Sequence, residues 1–472
     1  VAQLINVVGS ILAKVFLGPV NVGIWSALQL ILDFSKYSGL GVNTVVNLDV
    51  PYYQAKGDLR RVSEILSTVF TFLCLSSLTI GIAVMIYAFW NCKSLSREFF
   101  WGLIFASGII LLQRINNFYV TLLRAFKSFG TASRQTVYSA LVNVFLISIF
   151  ASKFKIYGFL WATALSLFFN IVYIQIKEKY TLALSFKWGI FRKTVASGIP
   201  LMILGLGETF FRSVDKFMIL KFLGFEAMGF YSIGLMAANY LNSLHVSIAV
   251  VLLPHFQEKF GVNDSRKDLR SYFNHGMHGF SNLFPPLIAF AWVLSPYATL
   301  TVLKSFGGGI PALKWIVLGI YFVSLGNLCS NYLITVKERG RVLFALIIAS
   351  LTALGLGLLV IKSGLGPEGI AFVSMFSSWF YFSILFYLSM TEIYTLKEAW
   401  QLYGIIMLKF ILLLSFLKGI DAFVLHDGSS LLRTCLSMLL VTIGSIPFIW
   451  DLNRKIHFID SLRNKFLSKK LK

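Results

Sequence analysis

In the stretch GETFFRSVDKF, Glu208, Arg212 and Asp215 stand at i, i+4 and i+7, with Lys216 beside them. On one continuous helix this spacing places acid, base and acid on a single face. Alternating charges there offset part of the cost of leaving water. Such a strip either lines a cavity and binds an ionic group, or locks its own helix. The flanking residues are apolar, and ionisable groups in a long apolar segment mark a pathway by default. A thinner set lies upstream. Lys14 comes first, then Asp33 and Lys36 at i, i+3, then Asn43, Asn47 and Asp49. Gln113, Arg114, Asn116 and Asn117 form a polar belt in which Gln113 and Asn117 share a helix face. Arg114 could line the same cavity, and Arg124 reads as a residue of the cytoplasmic mouth. If Lys14, Lys36, Arg114 and Arg212 face one space, it is net basic and suits a diphosphate or another acidic group. Arginine brings a rigid fork of donors to phosphate, and lysine a mobile point charge. Asp33, Glu208 and Asp215 each have a basic neighbour, so an unpaired cation site is not evident.

Catalytic signatures are absent. The sequence has no HExxH, no GxSxG context and no Walker motif. Its four cysteines are scattered and show no metal-type spacing. No metal site and no cofactor are therefore expected. His275 and His278 share a face but read as interfacial.

The elements that must hold these residues follow from composition. Of 472 residues, 57% are hydrophobic and only 13% charged, against about a quarter charged in soluble domains. Apolar runs of about 20 residues, the length that crosses a bilayer as helix, fall near 1–17, 22–50, 64–91, 99–124, 134–152, 154–176, 190–221, 225–254, 276–303, 310–336, 342–361, 367–390, 402–420 and 430–450. The reading is an all-α polytopic membrane protein with about fourteen transmembrane helices. The weakest division, inside 134–176, rests on Lys153 and Lys155 alone. The longest outer loop, near 418–430, holds Asp421, His426 and Asp427.

Charge supplies an independent check. Counted alternately, one set of loops takes most of the basic residues: Lys56, Arg60 and Arg61; Arg124, Lys127 and Arg134; Lys177, Lys179, Lys187, Arg192 and Lys193; Lys259, Arg266, Lys267 and Arg270; Lys337, Arg339 and Arg341; Lys397; and the tail after residue 450. Basic residues concentrate on the cytoplasmic side, so both termini are expected there. The net charge of +22 then reflects anionic phospholipid headgroups as partner, not nucleic acid, for which no motif is present.

The chain also repeats itself. FLGPVNVGIW at 16–25 matches FLGFEAMGFY at 222–231, with Gly18 on Gly224 and Gly23 on Gly229 at an offset of 206. PYYQAK at 51–56 matches PHFQEK at 254–259, and Tyr37 matches Tyr240, at an offset of 203. Six helices separate the copies, so each pair crosses the membrane in the same sense. Two six-helix lobes related by a pseudo-twofold axis along the membrane normal are expected, an arrangement found among alternating-access transporters. The expected organisation is an N-terminal lobe at 1–180, a C-terminal lobe at 181–396, two additional helices at 397–450 and a basic cytoplasmic tail at 451–472. The offset aligns Val1 with Gly207, so the first helix is expected to lack its first turns.

The segments ILAKVFLGPVNVGIWSAL, GLGVNTVV before VPYYQAKGD, and IPLMILGLGETFFRSVDKFMILKFLGFEAMGFYSIG resemble the polysaccharide transporter family. These are the Wzx-like O-antigen and capsule repeat-unit flippases, within the multidrug, oligosaccharidyl-lipid and polysaccharide exporter superfamily. The family's Asp-basic-hydrophobic stretch is met by Asp215 and Lys216. Pro19 stands where an acidic or polar residue would follow the glycine, and Asp33 has no matching acid in the second half. The resemblance implies a MATE-like exporter fold: two six-helix lobes and two C-terminal helices. It implies a flippase, not an enzyme, in the bacterial inner membrane. The cargo would be an undecaprenyl-diphosphate-linked oligosaccharide carried to the outer leaflet, with coupling to Na+, H+ or the membrane potential. It also implies a functional link to glycosyltransferases and a polymerase, and diphosphate or acidic-sugar contacts for Lys14 and Arg212. The alternatives are an ion-coupled drug or metabolite antiporter of the same fold, a peptidoglycan-precursor flippase, and an oligosaccharide polymerase or ligase, the last disfavoured by the absence of a large outer loop.

Overall fold

Without water, a membrane-embedded backbone must bond to itself, which leaves helices as the economical solution. The computed structural model describes residues 2–263, 269–391, 393–423 and 431–456, the side chains of 248–263, 423, 431 and 455–456 excepted. Among them all regular structure is helical: α1 (Ala2–Ser35), α2 (Val42–Ala55), α3 (Leu59–Trp90), α4 (Arg97–Ala125), α5 (Phe129–Leu146), α6 (Ser152–Glu178), α7 (Trp188–Phe211), α8 (Val214–Phe222), α9 (Gly224–Asn263), α10 (Arg270–Val302), α11 (Ile310–Thr335), α12 (Arg339–Lys362), α13 (Pro367–Met390), α14 (Leu396–Phe423) and α15 (Leu431–Ile456). Eleven stretches of the described residues are long and apolar enough to cross a membrane. Two of them hold a backbone break, at Gly18 and at Lys155, and so are helix pairs. With the 40-residue α9 they make up the fourteen crossings expected. The pair at 129–178 divides at Lys155 (φ 48°, ψ −124°), inside the segment where the two lysines were the only signal.

Contacts gather the chain into two units, Val1–Lys216 with Gly224–Gly229, and Phe217–Leu223 with Phe230–Lys472. The first has a core built on α2, α3 and α4. Val42, Val46 and Val50, one helical turn apart, pack with Ile65, Val69, Leu73, Phe118 and Leu122. After α6, residues 179–187 lie along α3. Thr71 donates to the carbonyl of Ser185 (3.2 Å), and the Lys187 ammonium meets the Glu64 carboxylate at 2.6 Å. The Tyr180 ring stacks on Phe126. Burial and the nearby Glu178 charge push the Tyr180 phenol up to about 12, so it stays neutral. In the second unit α11 is the most enclosed helix, with Tyr321, Phe322, Leu325 and Tyr332 fully buried.

Two helices expected to be continuous are not. The helix at 22–50 stops at Ser35, passes through a 3-10 turn at Lys36–Gly39 and restarts at Val42. Leu40 (φ 49°) and Gly41 (φ 75°), both left-handed, make the break. The helix at 190–221 stops at Phe211 and restarts at Val214, with the Ser213 amide bonded to the Phe210 carbonyl at 2.9 Å in a tightened turn. The second break divides the Glu208–Arg212–Asp215 strip. Arg212 caps α7, and Asp215 opens α8, where its carboxylate accepts from the Lys216 amide at 2.8 Å. The strip inferred from i, i+4, i+7 spacing is therefore divided: Glu208 and Arg212 stay one helical turn apart, with the Arg212 amide bonded to the Glu208 carbonyl at 3.0 Å, and Asp215 belongs to the next helix.

The repeated glycines have a geometric reason. Gly18 and Gly224, matched in the sequence, both adopt positive φ, 72° and 85°, a region that glycine enters without strain. The second glycines act across the two copies. A Cβ on Gly23 would overlap the carbonyl of Phe225, and a Cβ on Gly229 would overlap the carbonyl of Pro19. Each copy's second glycine thus meets the residue that follows the other copy's first glycine, the reciprocity of an isologous contact. All four residues belong to the first unit. The second anchor of the repeat, Pro254, Gln257 and Lys259, lies outside the residues whose side chains are described. Gly23→Val or Gly229→Val is expected to destabilise the protein by roughly 1–3 kcal/mol through overpacking against backbone. The double variant should cost less than the sum because both disturb one contact. Thermal unfolding in detergent measures this.

Candidate functional site

The break between α1 and α2 leaves the last carbonyls of a helix unsatisfied, in a stretch apolar enough to span a membrane. Arg114 of α4 supplies the missing donors. Its Nη1 donates to the Lys36 carbonyl at 2.7 Å, and its Nη2 to the Ser35 carbonyl at 2.6 Å and to Ser38 Oγ at 3.1 Å. Nε reaches Ser77 Oγ of α3 at 3.3 Å. The side chain is 6% exposed. A fixed positive charge at a helix C-terminus is also favoured by the helix dipole. The guanidinium is thus spent on the break itself. Gly39 must lack a side chain here, since its Cβ would lie 3.2 Å from Arg114 Nη1 and 2.9 Å from Leu73.

Helix α7 closes the other side. Gly41 and Gly198 pack backbone to backbone, a Cβ on Gly198 falling 2.7 Å from the Leu40 carbonyl. One segment on, the Tyr37 hydroxyl meets the Gly205 carbonyl and Thr209 Oγ1, each at 2.5 Å. Discontinuous helices with such termini are where membrane transporters place their binding sites.

All the sequence candidates lie in the first unit. Lys14 is buried in α1 at 8% exposure. Asp33 is half-buried in the last turn before the break, and Lys36, in the turn itself, is exposed with its ammonium 5.2 Å from the Tyr37 ring. The α4 belt faces three ways. Arg114 turns to the break. Asn116 accepts from Asn170 of α6, which accepts in turn from the Gln135 amide at 3.0 Å. Gln113 is half-buried and Asn117 exposed. Glu208, Asp215 and Lys216 are half-buried, while Arg212 and Arg124 are exposed.

The second unit holds polar groups that the sequence reading passed over. Lys409, alone in an apolar stretch of α14, donates to Asp451 of α15 at 2.7 Å and to Asn282 of α10 at 2.6 Å. Asn282 also donates to Asp451 at 2.9 Å. Some 15 Å further along α10, by helical rise, Trp292 donates to Asp421 at 3.0 Å. Lys314 of α11 meets the other oxygen of Asp421 at 2.7 Å. Asp421 is therefore a residue of α14, not of an outer loop; His426 and Asp427 lie outside the described residues. A single lysine inside an apolar run was the available signal for this network.

Two outcomes follow. Arg114→Ala should lower the melting midpoint by the equivalent of roughly 3–5 kcal/mol, because it strands buried helix-end carbonyls, and millimolar guanidinium should restore part of the loss. Asp451→Asn should cost about 2–3 kcal/mol. Lys409→Met with Asp451→Leu should cost less than the two single changes summed, read by chemical unfolding.

With this geometry in place, the comparisons are specific. A family model described as "Polysaccharide biosynthesis protein" matches residues 8–305. No curated protein sequence matches the chain. Among solved structures, an inward-facing multidrug resistance MATE family transporter of the MOP superfamily superposes with TM-score 0.66 and 16% identity, covering 86% of this chain and 96% of that one. The lipid II flippase MurJ in an inward closed conformation gives 0.62 and 17%, covering 96% and 99%. A MOP superfamily transporter from Pyrococcus furiosus, described by a binding pocket of reverse polarity, gives 0.60 and 15%, covering 82% and 92%. The fold is MATE-like.

Proposed function

As a member of the polysaccharide biosynthesis protein family, this multi-pass membrane chain, we propose, is a flippase that carries a lipid-linked oligosaccharide repeat unit across the bilayer by alternating access. The family match over residues 8–305 carries the reading. The exporter fold, seen also in the lipid II flippase MurJ, supports a lipid-linked cargo and a transporter instead of an enzyme. The carrier is an undecaprenyl diphosphate, turned from inner to outer leaflet of the bacterial inner membrane, and both termini are cytoplasmic, in keeping with the basic loops.

The residues take distinct roles. Lys14, Lys36, Arg212 and Lys216 present cationic groups to the diphosphate or to acidic sugars. Gln113 and Asn117 offer amides to sugar hydroxyls. Arg124 belongs to the entrance. Arg114 acts by positioning, because its donors are already engaged by Ser35, Lys36 and Ser38. At the α1–α2 break a tethered guanidinium holds carbonyls that in a broken helix can coordinate a cation. Coupling to Na+ or H+ then falls to Asp33, Glu208 or Asp215, or the membrane potential drives the step.

Depletion of the protein in its native cell should accumulate lipid-linked oligosaccharide on the cytoplasmic face. Lys14→Gln together with Arg212→Gln should lower the flipping rate at least about tenfold, the equivalent of one lost charge-assisted hydrogen bond. Accumulation of peptidoglycan precursor in place of oligosaccharide, or an unchanged rate in the double variant, would overturn the assignment of cargo and of site respectively.

A further inference from the structure

A cavity of about 360 Å3 opens between the last two turns of α13 and the first two of α14, within the second unit. Its size falls at the lower end for small-molecule sites, which are apolar with a few polar groups. Half of the lining residues are rings. Phe386 and Met390 are buried, Tyr394 and Tyr403 are half-buried, and Tyr387 (62% exposed) and Trp400 (67%) form the outer rim.

The polar atoms at the deep end are already satisfied. Tyr403 Oη accepts from Trp379 Nε1 at 3.1 Å and shares a hydrogen bond with Ser383 Oγ at 2.8 Å. A sugar or other polyhydroxylated ligand would find ring faces and no free partners there, whereas an aliphatic chain fits. The mouth is different. The Arg270 guanidinium lies 4.6 Å from the Tyr394 ring centroid and 2.7 Å from Glu398. Arg341 Nη1 reaches the Leu388 carbonyl at the end of α13 at 3.4 Å and pairs with Glu338 at 3.4 Å. Lys397, Lys337 and Arg339 are exposed nearby in sequence to these residues. In the sequence these five bases stand against three acids, Glu338, Glu392 and Glu398, which leaves this end net positive. The Tyr394 hydroxyl is buried beside Arg270 and Asn274, so its ring and not its oxygen faces the boundary between the charged rim and the apolar interior. The exposed Trp400 and Tyr387 suit the membrane–water interface.

We propose that this cavity is a binding site for an anionic glycerophospholipid, with one acyl chain between α13 and α14 and the headgroup against Lys397 and Arg270. The site is separate from the candidates in the first unit and does not depend on what the chain transports. Its role is to fix a boundary lipid at the joint between α13 and α14, across a connection of few residues.

The test uses the full chain in nanodiscs containing phosphatidylglycerol or phosphatidylcholine with a photoactivatable acyl chain, and maps the adducts by peptide mass spectrometry. Phosphatidylglycerol adducts should concentrate on residues 383–403 relative to the exposed α3 face carrying Leu78, Ile82 and Ile86. Ala399→Trp, which fills the cavity, should remove that enrichment. Leu396→Trp, at a position already 70% exposed, should do the same if Ala399→Trp fails to fold. Lys397→Gln should reduce the preference for phosphatidylglycerol over phosphatidylcholine by about fivefold, the contribution of one basic residue near an anionic surface. Even labelling of both regions, enrichment that survives both tryptophan variants, or equal labelling by the two lipids in the wild type would overturn the proposal. So would labelling of the cavity by a photoactivatable polyprenyl diphosphate alone.

Discussion

The guanidinium of Arg114 does, in an apolar setting, what water does for a helix end at a protein surface. A helix interrupted inside a bilayer exposes carbonyls that cost several kcal/mol each when left unpaired. Three donors from one side chain, aimed at Ser35, Lys36 and Ser38, make the α1–α2 break tolerable. With the break secured, α7 can cross at Gly41 and Gly198 without side chains intervening, and Tyr37 can reach Thr209.

Close backbone approach is the second constraint, and it explains why the chain repeats FLG-x4-G. The positive φ of Gly18 and Gly224 turns each corner, and the missing Cβ of Gly23 and Gly229 lets the corners meet. Without a hydrophobic driving force between helices in lipid, packing at short distance does much of the work of association. A motif that supplies both the turn and the approach is economical, and duplicated copies can satisfy each other reciprocally.

Much of the fold was legible because its signals are coarse. Apolar length and the alternation of basic loops predicted fourteen crossings, and even the faint Lys153–Lys155 break was real. The glycine repeat was visible as a pattern before its geometry was known. The breaks inside helices were only partly legible. The glycines of Ser38-Gly39-Leu40-Gly41 permit the first, and α7 packs against it at Gly41, whereas Arg212–Ser213 carries no glycine or proline, so local sequence did not mark it. For the same reason residue types alone could not separate Arg114, turned inward to carbonyls, from Gln113 and Asn117 on the same helix. Lys409 was legible in principle, as one charge in an apolar run, but a lone residue carries less pattern than a cluster.

That lysine has a consequence for biogenesis. A segment leaves the translocation machinery for lipid most readily when it carries no charge, and a lysine at mid-helix weighs against release by about 2.5–3.5 kcal/mol. For α14 the counter-charge Asp451 is made later, on α15, and Asn282 was made well before, on α10. The nascent α14 would therefore leave the machinery most readily alongside α10 and await α15, so that α14 and α15 integrate as a pair instead of one at a time.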